Sequence, residues 1–219
     1  SLDNLQNKSI VGANLRESGM HICALDPEME YEDLTNNLGG CFIDLMSGDY
    51  IINPLEPKTW DDAGSPEDLD APQTFRIRSR LSQHISFLKD FFRSYKDFTD
   101  REIDVIEIML QKLYARWGLT DQSDFDRLDS GDYPILSDLY AFIEEEYRAF
   151  DAKNYPLYTA EMLQSILLGL NSMCVGAESK FFNGHTNITD DSFITFGVKG
   201  LLQASRKPIL TYKVRMKFL

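Results

Sequence analysis

The spacing of apolar residues changes its period twice along the 219-residue chain. Up to about residue 57, short apolar runs of strand length are bounded by Gly, Asn and Pro. From about residue 73 to 182 the apolar period becomes that of a helix, and the strand pattern returns after Gly184. This order predicts an α/β core interrupted by an all-helical insertion, since an inserted domain needs only that its two ends lie close together.

We therefore predict four segments along the chain. Residues 1–57 form the first part of the α/β core, 58–72 an acidic linker, 73–182 the all-helical insertion, and 183–219 the return to the core. The linker is predicted from its richness in Pro, Asp and Ser. The predicted strands are SIV at 9–11, HICAL at 21–25, CFIDL at 41–45, YII at 50–52 and SFITFGV at 192–198.

The helical segment predicts four helices. The second is the clearest, because Thr99 and Glu102 have the spacing of a capping box and Gly118 is a typical helix stop. The first covers a stripe from about 77 to 92, the third begins near Pro134, and the fourth runs from about 159 to 176. Helical spacing indicates that the apolar, methionine and aromatic stripes, and His84 among them, are core. The stripe of the second helix is Ile103, Ile106, Met109, Leu110, Leu113, Tyr114 and Trp117.

The charge balance limits the partners of the chain. It has 22 Lys and Arg against 35 Asp and Glu, a net charge of −13, the opposite of what phosphate binding requires, so we expect no direct nucleic-acid binding. No apolar run approaches the roughly 20 residues of a membrane span, and the start has no signal-peptide pattern, so a cytoplasmic location is expected.

No metal site is predicted. Cys23, Cys41 and Cys174 are far apart without CxxC spacing, and we interpret all three as buried small hydrophobes. The acidic run at 121–132 does not have the register of a calcium loop.

The most informative segment for chemistry is residues 21–31, HICALDPEMEY. An apolar strand that ends in acidic residues places carboxylates at its carboxyl end, where open α/β sheets bind ligands. Asp26 and Glu28 are therefore the candidates to lie near a bound ligand. The alternative is that Asp26 only caps the turn made by Pro27, or that Glu28 and Glu30 complement the dipole of a following helix.

The same segment carries a family resemblance. DPEMEY at 26–31 is followed by LGG at 38–40, FIDL at 42–45 and IINPL at 51–55, and after the helical block NGHTNI at 183–188 precedes FITF at 193–196. In order and spacing these runs resemble the blocks that follow the Walker A helix and the helical insertion in the type IV secretion and conjugative-transfer motor ATPases. The resemblance covers residues 21 to about 57 and 181 to about 202.

The resemblance implies part of a RecA-like P-loop ATPase core in which ATP hydrolysis drives transfer at a secretion channel. It also implies ATP and Mg²⁺ in the complete protein, self-association, other secretion-channel proteins as partners, and a cytoplasmic position or a peripheral one at the inner face of the membrane. Asp26 and Glu28 then become nucleotide-proximal candidates, with Lys199 a weaker one. The string G-x-x-x-x-G-K-[ST] does not occur and the Walker B acidic pair has no counterpart after Phe196, so this chain alone is expected to be inactive.

The spacing between the first two predicted strands suggests a missing stretch. If residues 9–13 and 21–25 form neighbouring parallel strands, only 14–20 connect them, whereas a parallel crossover takes at least about ten residues. We therefore hypothesise that a segment holding the P-loop belongs before Leu15. The competing interpretation is a non-catalytic interaction domain whose acidic helical bundle docks a partner.

Overall fold

The computed structural model describes residues 22–44, 46–57, 79–154, 156–188, 193–197 and 199. The strand predicted at 9–11, the hypothesis about residues 14–20, the linker at 58–72 and the tail after 199 lie outside these residues. The chain divides into two compact units. The sheet unit holds the described residues up to Tyr50 and from Asn187 onward, and the helical unit holds those from Ile51 to Thr186.

In the part of the sheet unit that the structure describes, three strands form a parallel sheet. β1 is Ile22–Asp26, β2 is Cys41–Asp44 and β3 is Phe193–Gly197, in the order β1-β3-β2. All five residues of β3 are buried, as expected for the central strand of a parallel sheet. Helix α1, Glu32–Asn37, joins β1 to β2 and packs against β2 and β3. The hydroxyls of Thr35 and Thr195 form a buried hydrogen bond of 2.7 Å between α1 and β3.

Among residues 79–154 and 156–186, the helical unit contains four long helices and one short one. They are α2 (Arg80–Tyr95), α3 (Asp100–Arg116), α4 (Leu136–Arg148), α5 (Ala160–Cys174) and the single turn α6 (Ser179–Phe182), with 3₁₀ turns at Phe125–Arg127, Ser130–Asp132 and Ala152–Asn154. Helix α3 packs against α2, α4 and α5 and is therefore the central helix. Helix α4 packs along α5.

The helix ends follow their local sequence signals. Thr99 Oγ1 accepts the Glu102 N–H and the Glu102 carboxylate accepts the Thr99 N–H at 2.7 Å, which confirms the predicted capping box. Gly118 has φ +74° and follows the end of α3, as a helix-stop glycine does. Thr159 caps α5 through the Met162 N–H. The core interpretation of His84 is also confirmed, because the ring is buried and Nε2 lies 2.9 Å from the Pro54 carbonyl oxygen.

The strand predicted at residues 50–52 was wrong. Residues 51–57 have no regular secondary structure and belong to the helical unit, as do 183–186, so the compact units divide at residues 50 and 187 rather than at the predicted 57 and 183. Side chains from the helices replace a sheet partner. The Pro54 carbonyl lies against His84, Leu55 accepts from the Tyr114 hydroxyl at 2.8 Å, and Pro57 accepts from Arg80 at 3.2 Å. Backbone polar groups satisfied in this way can be buried without a neighbouring strand.

Two burial predictions were partly wrong. Cys174 is buried, but Cys23 and Cys41 are half-exposed on the two strands that flank β3. Trp117 is 39% exposed because it is the C-cap of α3, beyond the last packed turn, whereas the other six residues of its predicted stripe are fully buried. Over the part of the chain that the structure describes, no helix is both long enough and apolar enough to cross a bilayer.

Candidate functional site at the carboxyl edge of the sheet

The three strands end side by side at one edge of the sheet. Asp26 and Asp44, the last residues of β1 and β2, are both in register with Gly197, the last residue of β3. Parallel strands expose their carboxyl ends at the same edge, which is where open α/β sheets bind ligands. This edge is the candidate functional site.

Asp26 is fully buried at this edge. One carboxylate oxygen accepts the Glu28 N–H at 3.2 Å and the other accepts the Tyr31 N–H at 2.8 Å. These bonds close the loop that follows β1, which is the geometry of the turn-capping alternative. Since both oxygens already have backbone donors, Asp26 shapes the loop rather than offering a free carboxylate to a ligand.

The loop held by Asp26 has an unusual backbone. Met29 adopts φ +60°, a left-handed conformation that non-glycine residues rarely occupy and that costs about 1–3 kcal/mol. Gly197 leaves room for this loop, because a Cβ there would lie 3.3 Å from Met29 Cε and 2.8 Å from Phe42 Cζ. The loop is therefore fixed from two sides, by the Asp26 hydrogen bonds and by close packing on the end of β3.

Glu28 lies outside this packing, with its side chain 68% exposed. Its carboxylate is 3.7 Å from Nζ of Lys199, and the same Nζ lies 3.4 Å from the Glu28 carbonyl oxygen. The two residues follow the ends of adjacent strands, which brings them together although they are 171 positions apart. Of the two predicted site residues, Glu28 is thus the one whose carboxylate faces solvent at the edge.

Sequence reasoning did not select Asp44 as a site residue. Its Oδ1 accepts the Met46 N–H at 2.9 Å and its carbonyl oxygen accepts the Ser47 hydroxyl at 3.0 Å, so it organises the turn after β2. The sequence signal was weaker than at Asp26, because Asp44 lies inside the predicted strand 41–45 and is followed by Leu45 and Met46. What was missing was the strand order, which places the two aspartates on either side of Gly197.

These residues alone do not fit a magnesium–nucleoside triphosphate. The carboxylates of Asp26 and Asp44 are engaged by backbone N–H groups, and the side chains of Phe42 and Met29 approach Gly197 closely at the end of β3. Within the described ranges, no three His, Cys, Asp or Glu side chains are grouped to hold a metal ion. Among the described residues, the edge therefore has the exposed side chains of Glu28 and Lys199 but no group of donors that could cradle a phosphate.

Comparison with known proteins gives a similarity of fold. No protein-family model matches the chain, and no curated protein matches it. Among solved structures, VirB4 of Thermoanaerobacter pseudethanolicus matches with a TM-score of 0.74 and 24% sequence identity, over 94% of this chain. The chain has the fold of part of a VirB4. The match covers 50% of the VirB4 chain, so the present chain spans half the length of that protein.

The likeness at this identity is one of fold. It confirms, at that level, the resemblance to the type IV secretion motor ATPases that the runs at 26–55 and 183–196 indicated. The predicted fold class is confirmed as a mixed structure of helices with a small parallel sheet.

Proposed function

We propose that this chain is part of the core of an ATP-driven motor that serves a type IV secretion or conjugative DNA-transfer system. The observation that carries the proposal is the similarity of fold, over 94% of the chain, to VirB4, a type IV secretion ATPase. The arrangement of the sheet supports it, because three parallel strands end at an edge of the type that binds nucleotides in α/β proteins.

In this proposal the sheet unit is part of a RecA-like core and the helical unit is an insertion in it. The four long helices lie between β2 and β3 in the chain, as an insertion would. ATP and Mg²⁺ bind in the complete protein through a P-loop that this sequence does not contain, so the chain by itself is inactive. Glu28 faces the nucleotide or a neighbouring subunit, while Asp26 acts through the loop that it holds.

The proposed location and partners of the complete protein rest on the same similarity. The complete protein works in the cytoplasm or at the inner face of the membrane, associates with itself, and contacts other proteins of the secretion channel. Direct binding of nucleic acid by this part is not proposed, since its net charge of −13 would repel phosphates.

Isothermal titration with ATP and Mg²⁺ tests the proposal on the complete gene product, with the 219-residue chain titrated in parallel. We expect the gene product to bind nucleotide and the chain alone not to bind. Clean absence of binding to the gene product at millimolar nucleotide would refute the motor and support the non-catalytic interaction domain.

The variant Glu28→Gln in the gene product tests the site. Removing its charge is expected to change ATP affinity or hydrolysis by roughly tenfold, equivalent to about 1.4 kcal/mol. Asp97→Asn is the matched control, because Asp97 is also an exposed carboxylate but lies in the helical unit. If the two variants behave equally, Glu28 has no role at the nucleotide site. The motor proposal is then tested by the ATP titration alone.

A further inference from the structure

The outer side of α5 differs from the exposed surface of the other long helices. Gln164, Leu168, Asn171 and Val175 are exposed at helical spacing along α5, and we call these four residues the α5 face. Leu168 is 80% exposed and Val175 is 54% exposed. No charged residue occurs between positions 162 and 177, whereas the exposed residues of α2, α3 and α4 include many acids and bases.

The inner side of α5 already supplies its share of the core. Leu163, Ile166, Leu170 and Met173 on that side are fully buried against the neighbouring helices. A surface helix normally has charged or polar residues opposite its apolar stripe. On the α5 face Gln164 and Asn171 are polar, but none of the four residues is charged and two, Leu168 and Val175, are exposed apolar side chains. Exposed apolar residues on an uncharged helix face therefore indicate a surface that binds another protein.

Carboxylates border the α5 face. Glu161 is in the first turn of α5, and the Glu102 carboxylate of α3 accepts a 2.5 Å hydrogen bond from the Ser165 hydroxyl. Burial alone would raise the pKa of Glu102, but hydrogen bonds from Ser165 and Thr99 outweigh it and lower the pKa. Glu102 is therefore charged at neutral pH, and the face has an uncharged, partly apolar centre with acidic groups beside it.

The charges beside the α5 face indicate what kind of partner binds there. A second copy of the chain would bring the same acidic border and another net charge of −13 to the contact, which opposes association. A helix with an apolar stripe flanked by Lys or Arg would cover Leu168 and Val175 and place its cations beside Glu102 and Glu161.

We propose that the α5 face docks a basic amphipathic helix of a partner protein. Helix α5 has 15 residues and is about 22 Å long, enough for three to four turns of such a helix to pack along it. The proposal goes beyond the motor function and does not depend on it, because none of the nucleotide-proximal candidates lies in the helical unit.

The probe is a synthetic leucine–lysine peptide of the length of α5, with Leu at the i, i+3, i+4 and i+7 positions and Lys elsewhere. Its binding to the whole chain is measured by fluorescence anisotropy at physiological salt. A leucine–glutamate peptide with the same stripe tests the charge requirement, and a scrambled leucine–lysine peptide tests the requirement for a stripe. We expect only the amphipathic basic peptide to bind well.

Leu168→Ser locates the binding site, and Leu157→Ser is the matched control, because Leu157 is 88% exposed but precedes α5. Both side chains are on the surface, so both variants should fold. We expect Leu168→Ser to weaken binding roughly tenfold, the loss that goes with one buried apolar side chain, and Leu157→Ser to leave it unchanged.

Three results would overturn the proposal. The first is equal binding of the scrambled and the amphipathic basic peptides, and the second is an equal effect of the two serine variants. The third is concentration-dependent dimerisation of the chain in sedimentation experiments that Leu168→Ser abolishes, since a second copy would then be the occupant. None of these results bears on nucleotide binding by the gene product.

Discussion

Asn53 holds the irregular segment 51–57 inside the helical unit, and replacing it should destabilise that unit. Its side chain is fully buried, with Nδ2 donating to the Pro134 carbonyl at 2.9 Å and Oδ1 accepting the Leu55 N–H at 3.0 Å. Asn53→Ala removes both bonds and leaves two buried polar groups without these partners. Each such group costs about 1–3 kcal/mol, so the expected loss in the free energy of unfolding is about 2–6 kcal/mol.

Urea unfolding of the whole chain, followed by far-UV circular dichroism, measures this loss, since the long helices give most of the signal. For a slope near 2 kcal/mol/M, a loss of about 4 kcal/mol lowers the unfolding midpoint by about 2 M. Asn171→Ala is the matched control. Asn171 also makes a side-chain hydrogen bond, 3.2 Å to the Tyr140 hydroxyl, but it is exposed, so its replacement should cost less than about 0.5 kcal/mol.

The reasoning would be refuted if Asn53→Ala cost no more than Asn171→Ala. The carbonyl of Pro134 and the N–H of Leu55 would then have to find other partners after the substitution. The Asn53 side chain would then not be what holds segment 51–57 in the unit.

Three further predictions follow from local contacts. Gly197→Ala should cost about 1–3 kcal/mol in thermal unfolding, because the new methyl group meets Phe42 Cζ at 2.8 Å, and an unchanged melting temperature would contradict that packing. Burial raises the pKa of Cys174 to about 12, so in native protein mass spectrometry should find it alkylated far more slowly than the two half-exposed strand cysteines. Burial alone would raise the pKa of Glu146, but hydrogen bonds from Lys112 and a tyrosine outweigh it and lower that pKa below 4.5. The charged Glu146 side chain therefore stabilises the fold above pH 4.5, and this contribution is lost as the pH falls through the pKa of the folded state. The stability advantage of the native chain over Glu146→Gln should therefore shrink on acidification, and an advantage independent of pH would contradict it.

The helices could be predicted because their signals are local. The capping box of Thr99 and Glu102 begins α3, and Gly118 follows its end. Each of these signals satisfies backbone groups of that same helix. The stripe from Ile103 to Tyr114 was correctly assigned to the core for the same reason. The predicted burial of Trp117 was wrong because burial at a helix end depends on what packs beyond that end, and apolar periodicity does not contain that information.

The order of the strands could not be predicted from the sequence. β3 lies between β1 and β2, although it follows β2 by about 150 residues, and only the folded sheet shows that arrangement. The strand predicted at 50–52 failed for a related reason. Its apolar residues suit a buried strand equally well, but the backbone that directly follows, at Pro54 and Leu55, has its polar partners in side chains of distant helices, His84 and Tyr114.

The candidate site was predicted in part. The acidic residues after β1 predicted Asp26 and Glu28 as site residues. In the structure Asp26 is buried and shapes the loop, whereas Glu28 is exposed. The approach of Lys199 to Glu28, and the position of Asp44 across Gly197, depend on strand register. The sequence therefore identified the acidic end of β1 but not that of β2, and strand register decides which of these groups meet.

The two ends of the helical unit are joined by hydrogen bonds that bear on how it could be inserted. The Asn53 N–H donates to the Thr186 hydroxyl at 3.0 Å, and the same hydroxyl donates to the Glu56 carboxylate. Glu56 also accepts a hydrogen bond from Ser130, so the chain that enters the unit and the chain that leaves it are fixed to the same loop of the bundle. Adjacent, mutually bonded ends are the condition for adding a domain between two strands without pulling them apart. The bundle itself satisfies that condition, which supports the proposed insertion.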